Sequence, residues 1–277
     1  MLTLLHISDL HFGPPYLPAV GAALLRIAPT LGAHGIVASG DFTQRAKRQQ
    51  FADARAFLDQ LPDLPRVVVL GNHDVPLYRL AERFFRPHQL YREFIAPELD
   101  TVHQFDGAVI VGLDSTAPRQ HITNGRIFQR QLDFCTVAFR DVPSGVARIV
   151  VAHHHFAPAP DYQRDQIMPR AKQAMEHFIG LGVEMVLGGH LHRGYIGNSL
   201  DVGPGRSDGQ HDGVIIVQSG TTTSRRGRAR ERARNSFNLI HLDAATIQIV
   251  HYMYFADSER FEPISEHRFP RRGKRLG

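Results

Sequence analysis

Residues 2–11 read LTLLHISDLH, an apolar run that stops at an aspartate and a histidine two positions apart. Two later stretches repeat the pattern, GIVASGD over 35–41 and RVVVLGNHD over 66–74, each closed by a glycine and then by polar groups. Apolar runs of this length bounded by turn residues read as short buried strands, here Leu2 to Ser8, Gly35 to Ser39 and Arg66 to Leu70. Between them, Leu17 to Leu31 and Lys47 to Leu61 carry apolar residues at helical spacing. The alternation predicts βαβ units, whose right-handed crossovers build a doubly wound parallel sheet. Asp9 to Asp41 is 32 positions and Asp41 to Asn72 is 31, each about one βαβ unit of roughly 30 residues. Equal spacing predicts that these three share one edge of the sheet, where open α/β sheets gather their ligands.

Working outward, Thr101 to Phe105, Ala108 to Asp114, Ala147 to Ala152 and Val183 to Gly188 read as further strands, with helices near Phe128 to Phe139 and Pro169 to Leu181. From Arg193 onward the helical signals fade. Strand-like runs at Gly194 to Asn198, Gly213 to Ser219, Ser236 to Asp243 and Thr246 to Phe255 predict an antiparallel second sheet, and Ser199 to Asp212 has the composition of an exposed loop. Nothing resembles an interdomain linker, so one domain over 1–265 with a basic tail at 266–277 is expected.

The net charge of +5 is carried almost wholly by arginine and favours anionic partners. Much of it sits in Arg225 to Arg234, RRGRARERAR, and in Arg268 to Arg275, which as short runs read as a solvated loop and a frayed end. The single cysteine, Cys135, excludes an intramolecular disulfide and fits a reducing compartment. The N-terminal run lacks the basic start and small-residue cleavage site of a signal peptide, and no run approaches the roughly 18 apolar residues of a membrane span. A cytoplasmic protein without a membrane partner is expected.

Five pieces carry chemistry: Asp9-Leu10-His11, Gly40-Asp41, Gly71-Asn72-His73-Asp74, His153-His154-His155 and Gly189-His190-Leu191-His192. Asp9 and His11 project to one side if extended geometry persists past the strand, and His190 and His192 share that spacing. Gly188 and Gly189 let the backbone pass close to a metal. Asp41 has two oxygens with which to bridge two cations. Each piece alone is weak, since Gly-Asp is a common turn dipeptide and a lone Asp-x-His is usually a strand-end polar pair. Their order and their placement at successive strand ends make a metal site the better reading. The ten histidines outside these pieces, His6 among them, are expected to be structural.

The set resembles the calcineurin-like metallophosphoesterases, whose signature runs Asp-x-His, Gly-Asp, Gly-Asn-His-Asp/Glu, His and Gly-His-x-His. All five stand here in order between Leu5 and about Arg193, and Ser219-Gly220-Thr221 with the strand-rich end is similar to the family's second sheet. In its compact length the chain is similar to the bacterial cyclic-nucleotide phosphodiesterase branch. The resemblance implies an α/β fold, a four-layer αββα sandwich of two mixed sheets flanked by helices, with the site between the sheet ends. It also implies two divalent or mixed-valence ions, one held by Asp9, His11, Asp41 and His192 and the other by Asp41, Asn72, His153 and His190. His153 follows its strand directly and is preferred to His154, but Phe156 stands where many members continue with proline.

Mixed nitrogen and oxygen ligands suit Mn, Fe or Zn. The mechanism implied is attack on phosphorus by a hydroxide bridging the two ions. His73 is the candidate to protonate the leaving oxygen, Asp74 to orient His73, and Arg225 and Arg226 to steer an anionic substrate. A phosphodiesterase acting on small anionic esters, such as cyclic nucleotides or glycerophosphodiesters, is expected. A nuclease on DNA or RNA and a phosphomonoesterase are the enzymatic alternatives, and a scaffold without catalysis is disfavoured because no ligand is missing.

Overall fold

The first strand, β1 (Leu2–Ile7), is buried along its length and its side chains enter two different cores. Leu4 packs into a core between two sheets, whereas Leu5 and Ile7 pack outward against helices. This computed structural model describes residues 1–120, 123–158, 166–199 and 213–273.

The first sheet continues with β2 (Gly35–Ala38) and β3 (Arg66–Val68), both parallel to β1 in register. On the other side of β1 lie β10 (Ser236–Leu242), β11 (Thr246–Phe255) and β12 (Arg260–Pro270), all antiparallel, for an order of β12-β11-β10-β1-β2-β3. The second sheet comprises β4 (Thr101–Phe105), β5 (Ala108–Leu113), β6 (Ala147–Ala152), β7 (Met185–Gly188), β8 (Tyr195–Asn198) and β9 (Ile215–Gln218). Its order is β4-β5-β6-β7-β9-β8, parallel in the middle and antiparallel at both edges.

Leu4, Val37, Ile110, Ile149, Leu187 and Ile240 fill the space between the sheets. Helices α1 (Pro18–Ile27) and α2 (Arg48–Leu58) cover the outside of the first sheet through Leu24, Phe51 and Phe57. Helices α5 (Gln129–Phe139) and α6 (Ala171–Gly180) cover the second through Leu132, Cys135 and Phe178. The result is the αββα sandwich, and each fully buried Leu, Ile or Phe contributes about 1.5–3 kcal/mol of hydrophobic stabilisation.

Three features differ from the sequence reading. The runs after Arg193 do not form one antiparallel sheet: β8 and β9 extend the second sheet, while β10, β11 and β12 complete the first. After β3 the chain leaves the first sheet, so the doubly wound pattern is split between two. Helices α3 (Leu80–Phe85) and α4 (Gln89–Phe94) and strand β12 were not expected. No residue of α3 is buried, so it carries no apolar periodicity to read. Strand β12 is an exposed edge bearing Pro263, which an edge tolerates beside the bulge at His251 and Tyr252. It runs through Pro270 and thus takes in the start of the segment read as a basic tail. Residues 274–277 and all but Ser199 of the loop read over 199–212 lie outside the described residues.

Candidate active site

The polar pieces follow the ends of β1, β2, β3, β6 and β7, where the two sheets' edges meet. The extended geometry assumed for Asp9 and His11 does not persist. Both are left-handed, with φ of 54° and 51°, as are Asp41 at 56°, His190 at 72° and His192 at 55°. Each such conformation costs a non-glycine residue roughly 1–2 kcal/mol, least for residues such as Asp whose side chains bond locally. The turns are fixed in pairs: Asp9 N–H donates to the Gly40 carbonyl and His11 N–H to the Asp41 carbonyl, each at 2.9 Å. Gly71 allows the next turn to close in, because a Cβ there would lie 2.1 Å from Asp41 Oδ1.

Each aspartate has one oxygen satisfied and one exposed to the neighbouring imidazoles. Asp9 Oδ2 accepts from Ser8 Oγ at 2.7 Å and from His190 N–H at 3.0 Å, and Asp41 Oδ1 accepts from His73 N–H at 2.8 Å. Asp9 Oδ1 and Asp41 Oδ2 are buried and accept no aligned hydrogen bond. His192 Nε2 lies 3.1 Å and His11 Nε2 3.5 Å from Asp9 Oδ1. His11 Nε2 at 3.6 Å and His153 Nε2 at 3.5 Å flank Asp41 Oδ2. Asn72 Oδ1 is 3.3 Å from His153 Nε2 and 3.0 Å from His190 Nδ1. Ligand-type atoms of Asp9, His11, Asp41 and His192 all lie within 4.8 Å of one another.

Buried, unsatisfied carboxylate oxygens facing imidazole nitrogens call for positive charge. Burial would by itself raise Asp9 and Asp41, yet the facing histidines hold both well below the usual carboxylate range. Burial would lower His153, yet Asp41 and Asp9 push it up to about 9. A proton and a cation compete for such a nitrogen, so the donor set fits two metal ions, each offered two nitrogens and two oxygens.

The triple histidine divides its roles. His153 reaches Asp41, and its Nδ1 lies 2.7 Å from the Ser39 carbonyl. His154 turns Nδ1 to Ser115 Oγ at 2.8 Å, although its ring remains close enough to group with His153 and His190. His155 is buried and stacks on His190 with centroids 5.5 Å apart. Among the other histidines, His6 is fully buried with Nε2 3.0 Å from Ser39 Oγ, while His121 and His211 lie outside the described residues.

Two expectations are corrected. Asp74 does not orient His73. Its carboxylate accepts from the backbone N–H groups of Gly71, Phe42 and Thr43 and from Thr43 Oγ1, fastening the turn after β3 to the turn after β2. The partner of His73 is the Gln44 carbonyl, 2.9 Å from Nδ1. A carbonyl only accepts, so Nδ1 carries the proton there and Nε2 is the nitrogen left to act. Burial lowers the pKa of His73. Secondly, Arg225 is exposed, with its N–H on the Pro15 carbonyl, and does not line the cleft, whereas Arg226 does. The cleft, about 210 Å³, is also lined by Gln44, Arg45 and Arg228, which the sequence did not single out. No local signal marks Gln44. Arg228 belongs to the run read as solvated.

The profile of the family described as Calcineurin-like phosphoesterase matches residues 2–194, and the chain belongs to that family. A Rhodococcus erythropolis protein named as a probable cyclic nucleotide phosphodiesterase is 26% identical over 204 residues, which cover 68% of this chain and 64% of that one. The match therefore spans less than two thirds of that relative. Two solved structures share the fold. A purple acid phosphatase from yellow lupin seeds superposes with a TM-score of 0.70 at 10% identity, covering 98% of this chain and 54% of the other. A dimetal phosphatase from Danio rerio gives 0.62 at 12% identity, covering 98% and 99%. Among the described residues no helix is long and apolar enough to cross a membrane.

Proposed function

We propose that the protein is a phosphodiesterase of small anionic esters, with cyclic nucleotides and glycerophosphodiesters as the substrate classes to test first. The observation that carries the reading is the pair of orphaned oxygens, Asp9 Oδ1 and Asp41 Oδ2, inside a ring of imidazoles. Asp9, His11, Asp41 and His192 would hold one metal, and Asp41, Asn72, His153 and His190 the second, with Asp41 shared. Mn, Fe or Zn suits these donors. When bound, two such ions supply Lewis-acid charge and a hydroxide nucleophile at neutral pH.

The chain's own residues do the rest. Asn72 and the aspartates fix the orientation of the histidines. His73, its Nδ1 proton held by the Gln44 carbonyl, presents Nε2 to the cleft and, once protonated there to the imidazolium, delivers that proton to the departing oxygen. Arg226 contributes positive charge beside His73. The name carried by the Rhodococcus relative supports the diester reading, and the free, buried Cys135 fits a cytoplasmic location. The test is a screen of Mn-loaded protein against a nitrophenyl monoester, a nitrophenyl diester, cyclic nucleotides and single-stranded DNA. Turnover of small diesters above the rest supports the proposal. Preference for the monoester or for DNA replaces it with a phosphatase or a nuclease.

A further inference from the structure

The cleft wall beside His73 holds Arg45, Arg226 and Arg228, against Asp41 as its carboxylate. None of the three arginines is ion-paired with an acid among the described residues. Arg226 donates Nη1 to Gln44 Oε1 at 2.9 Å, and Arg45 lies over the Tyr78 ring, 5.3 Å from its centroid. Arg228 is tied by its backbone, its N–H donating to the His192 carbonyl at 3.1 Å.

The segment that carries Arg226 and Arg228 is fastened at both ends. Glu231, 4% exposed, accepts from Gly194 N–H at 2.6 Å and from Ser236 Oγ at 2.5 Å, and lies 3.3 Å from His251 Nε2. Asn235 Nδ2 donates to the Ser224 carbonyl at 2.7 Å and the Thr221 carbonyl at 3.3 Å. A buried carboxylate that holds the loop fixes the backbone carrying Arg226 and Arg228 before any substrate arrives, which cuts the ordering cost of binding.

Gln44 locates this charge relative to the reaction. Its carbonyl holds His73 and its side-chain oxygen holds Arg226, so the arginine wall and the proton donor share one residue. The scissile phosphate of a simple diester has one negative charge, and the two metal sites answer it. Three further cations on the side of the proton donor match a second anion there.

We propose, resting on the phosphodiesterase reading, that Arg226 with Arg45 and Arg228 binds an anionic group on the leaving alcohol, so that the favoured substrate is a phosphodiester whose leaving group bears a second phosphate. In the reaction the bond from phosphorus to the leaving oxygen breaks and water's oxygen forms the new bond to phosphorus. One proton of that water goes to solvent and the leaving oxygen takes one from His73, which is reprotonated from solvent. The products are a phosphomonoester and a phosphorylated alcohol.

A matched pair of dinucleotides tests this. ApA and its 5′-phosphorylated form pApA have the same scissile linkage, and the leaving 3′-oxygen belongs to adenosine in one and to 5′-AMP in the other. Mn-loaded wild type should cleave pApA with kcat/KM about 10- to 100-fold above ApA, the range of one charge-assisted contact. That ratio should shrink between about 10 mM and about 150 mM ionic strength. In Arg226→Ala and Arg228→Ala it should fall to within about threefold. Independently of turnover, calorimetry on the metal-free protein should show 5′-AMP binding more tightly than adenosine, a difference that Arg226→Ala removes.

A wild-type ratio near one, or a ratio kept by both variants, overturns the proposal. If a variant does not fold, as judged by circular dichroism, the wild-type ratio and its salt dependence decide. If no diester is cleaved, the phosphodiesterase reading fails, and equal binding of 5′-AMP and adenosine then overturns the arginine site as well.

Discussion

The first sheet has a charged end and a plain edge. Beyond β1 and β2 the chain buries two aspartates beside clustered imidazoles, with Asp9, His11 and Asp41 held in left-handed backbone. At the far edge β12 buries only Phe261 and is held by antiparallel pairing to β11, broken by one bulge at His251 and Tyr252. Of the ten non-glycine residues with positive φ among the described residues, five, Asp9, His11, Asp41, His190 and His192, are the site's own aspartates and histidines. Tolerance to substitution should follow the same gradient.

Asp41→Ala should give the largest effect, because both clusters share that carboxylate. Elemental analysis should find about two ions in wild type and loss from both sites in the variant. Two ions still tightly held would break the contrast at its centre. His73→Ala should come next, keeping its metals through Asn72 yet losing about 10² to 10⁴ in kcat on alkyl diesters. Nitrophenyl esters, whose leaving group departs unprotonated, should lose far less. Equal losses on both would make His73 a positioning residue.

Gly71→Ala places a methyl 2.1 Å from Asp41 Oδ1 and must displace that turn, so metal affinity should drop about 10- to 100-fold by titration. His6 sharpens the comparison through pH. Burial lowers its pKa to about 3, against about 6.5 in the unfolded chain. The unfolded state therefore binds the extra proton, and the contribution of neutral His6 is complete above about pH 6.5 and lost as pH falls from there toward about 3. The slope is up to about 1.4 kcal/mol per pH unit, and urea unfolding of His6→Asn should show an acid limb flatter by one proton. At the plain edge, Glu266→Ala should stay within about 0.5 kcal/mol by the same measurement.

The charged end was legible in the sequence because apolar runs that stop at Asp9, Asp41 and Asn72 are local signals. The convergence of these residues followed from even spacing. Sheet membership after Arg193 was not legible, since strand pairing joins residues far apart and nothing in a strand's own composition names its neighbour. Strand β12 escaped notice because an edge strand need not alternate. The error over Asp74 has a local cause: adjacency to His73 says nothing of direction in a tight turn, and Asp74 turns back to the Gly71 amide instead. Arg225 and Arg226 likewise diverge because both stand in a turn, where adjacency in sequence does not fix a common side-chain direction.

The place of β1 has a consequence for synthesis. Its central position puts Thr3 beside His241, 238 positions later. At about 5–20 residues per second, about 12–50 s separate the two on the ribosome. Throughout that interval one edge of β1 has no partner, and the turn bearing Asp9 and His11 lacks the backing of Thr221 and Thr222, which later bond to the Asp9 carbonyl and to Ser8. A chain stopped before β10 should therefore aggregate more readily and hold metal more weakly than the full chain.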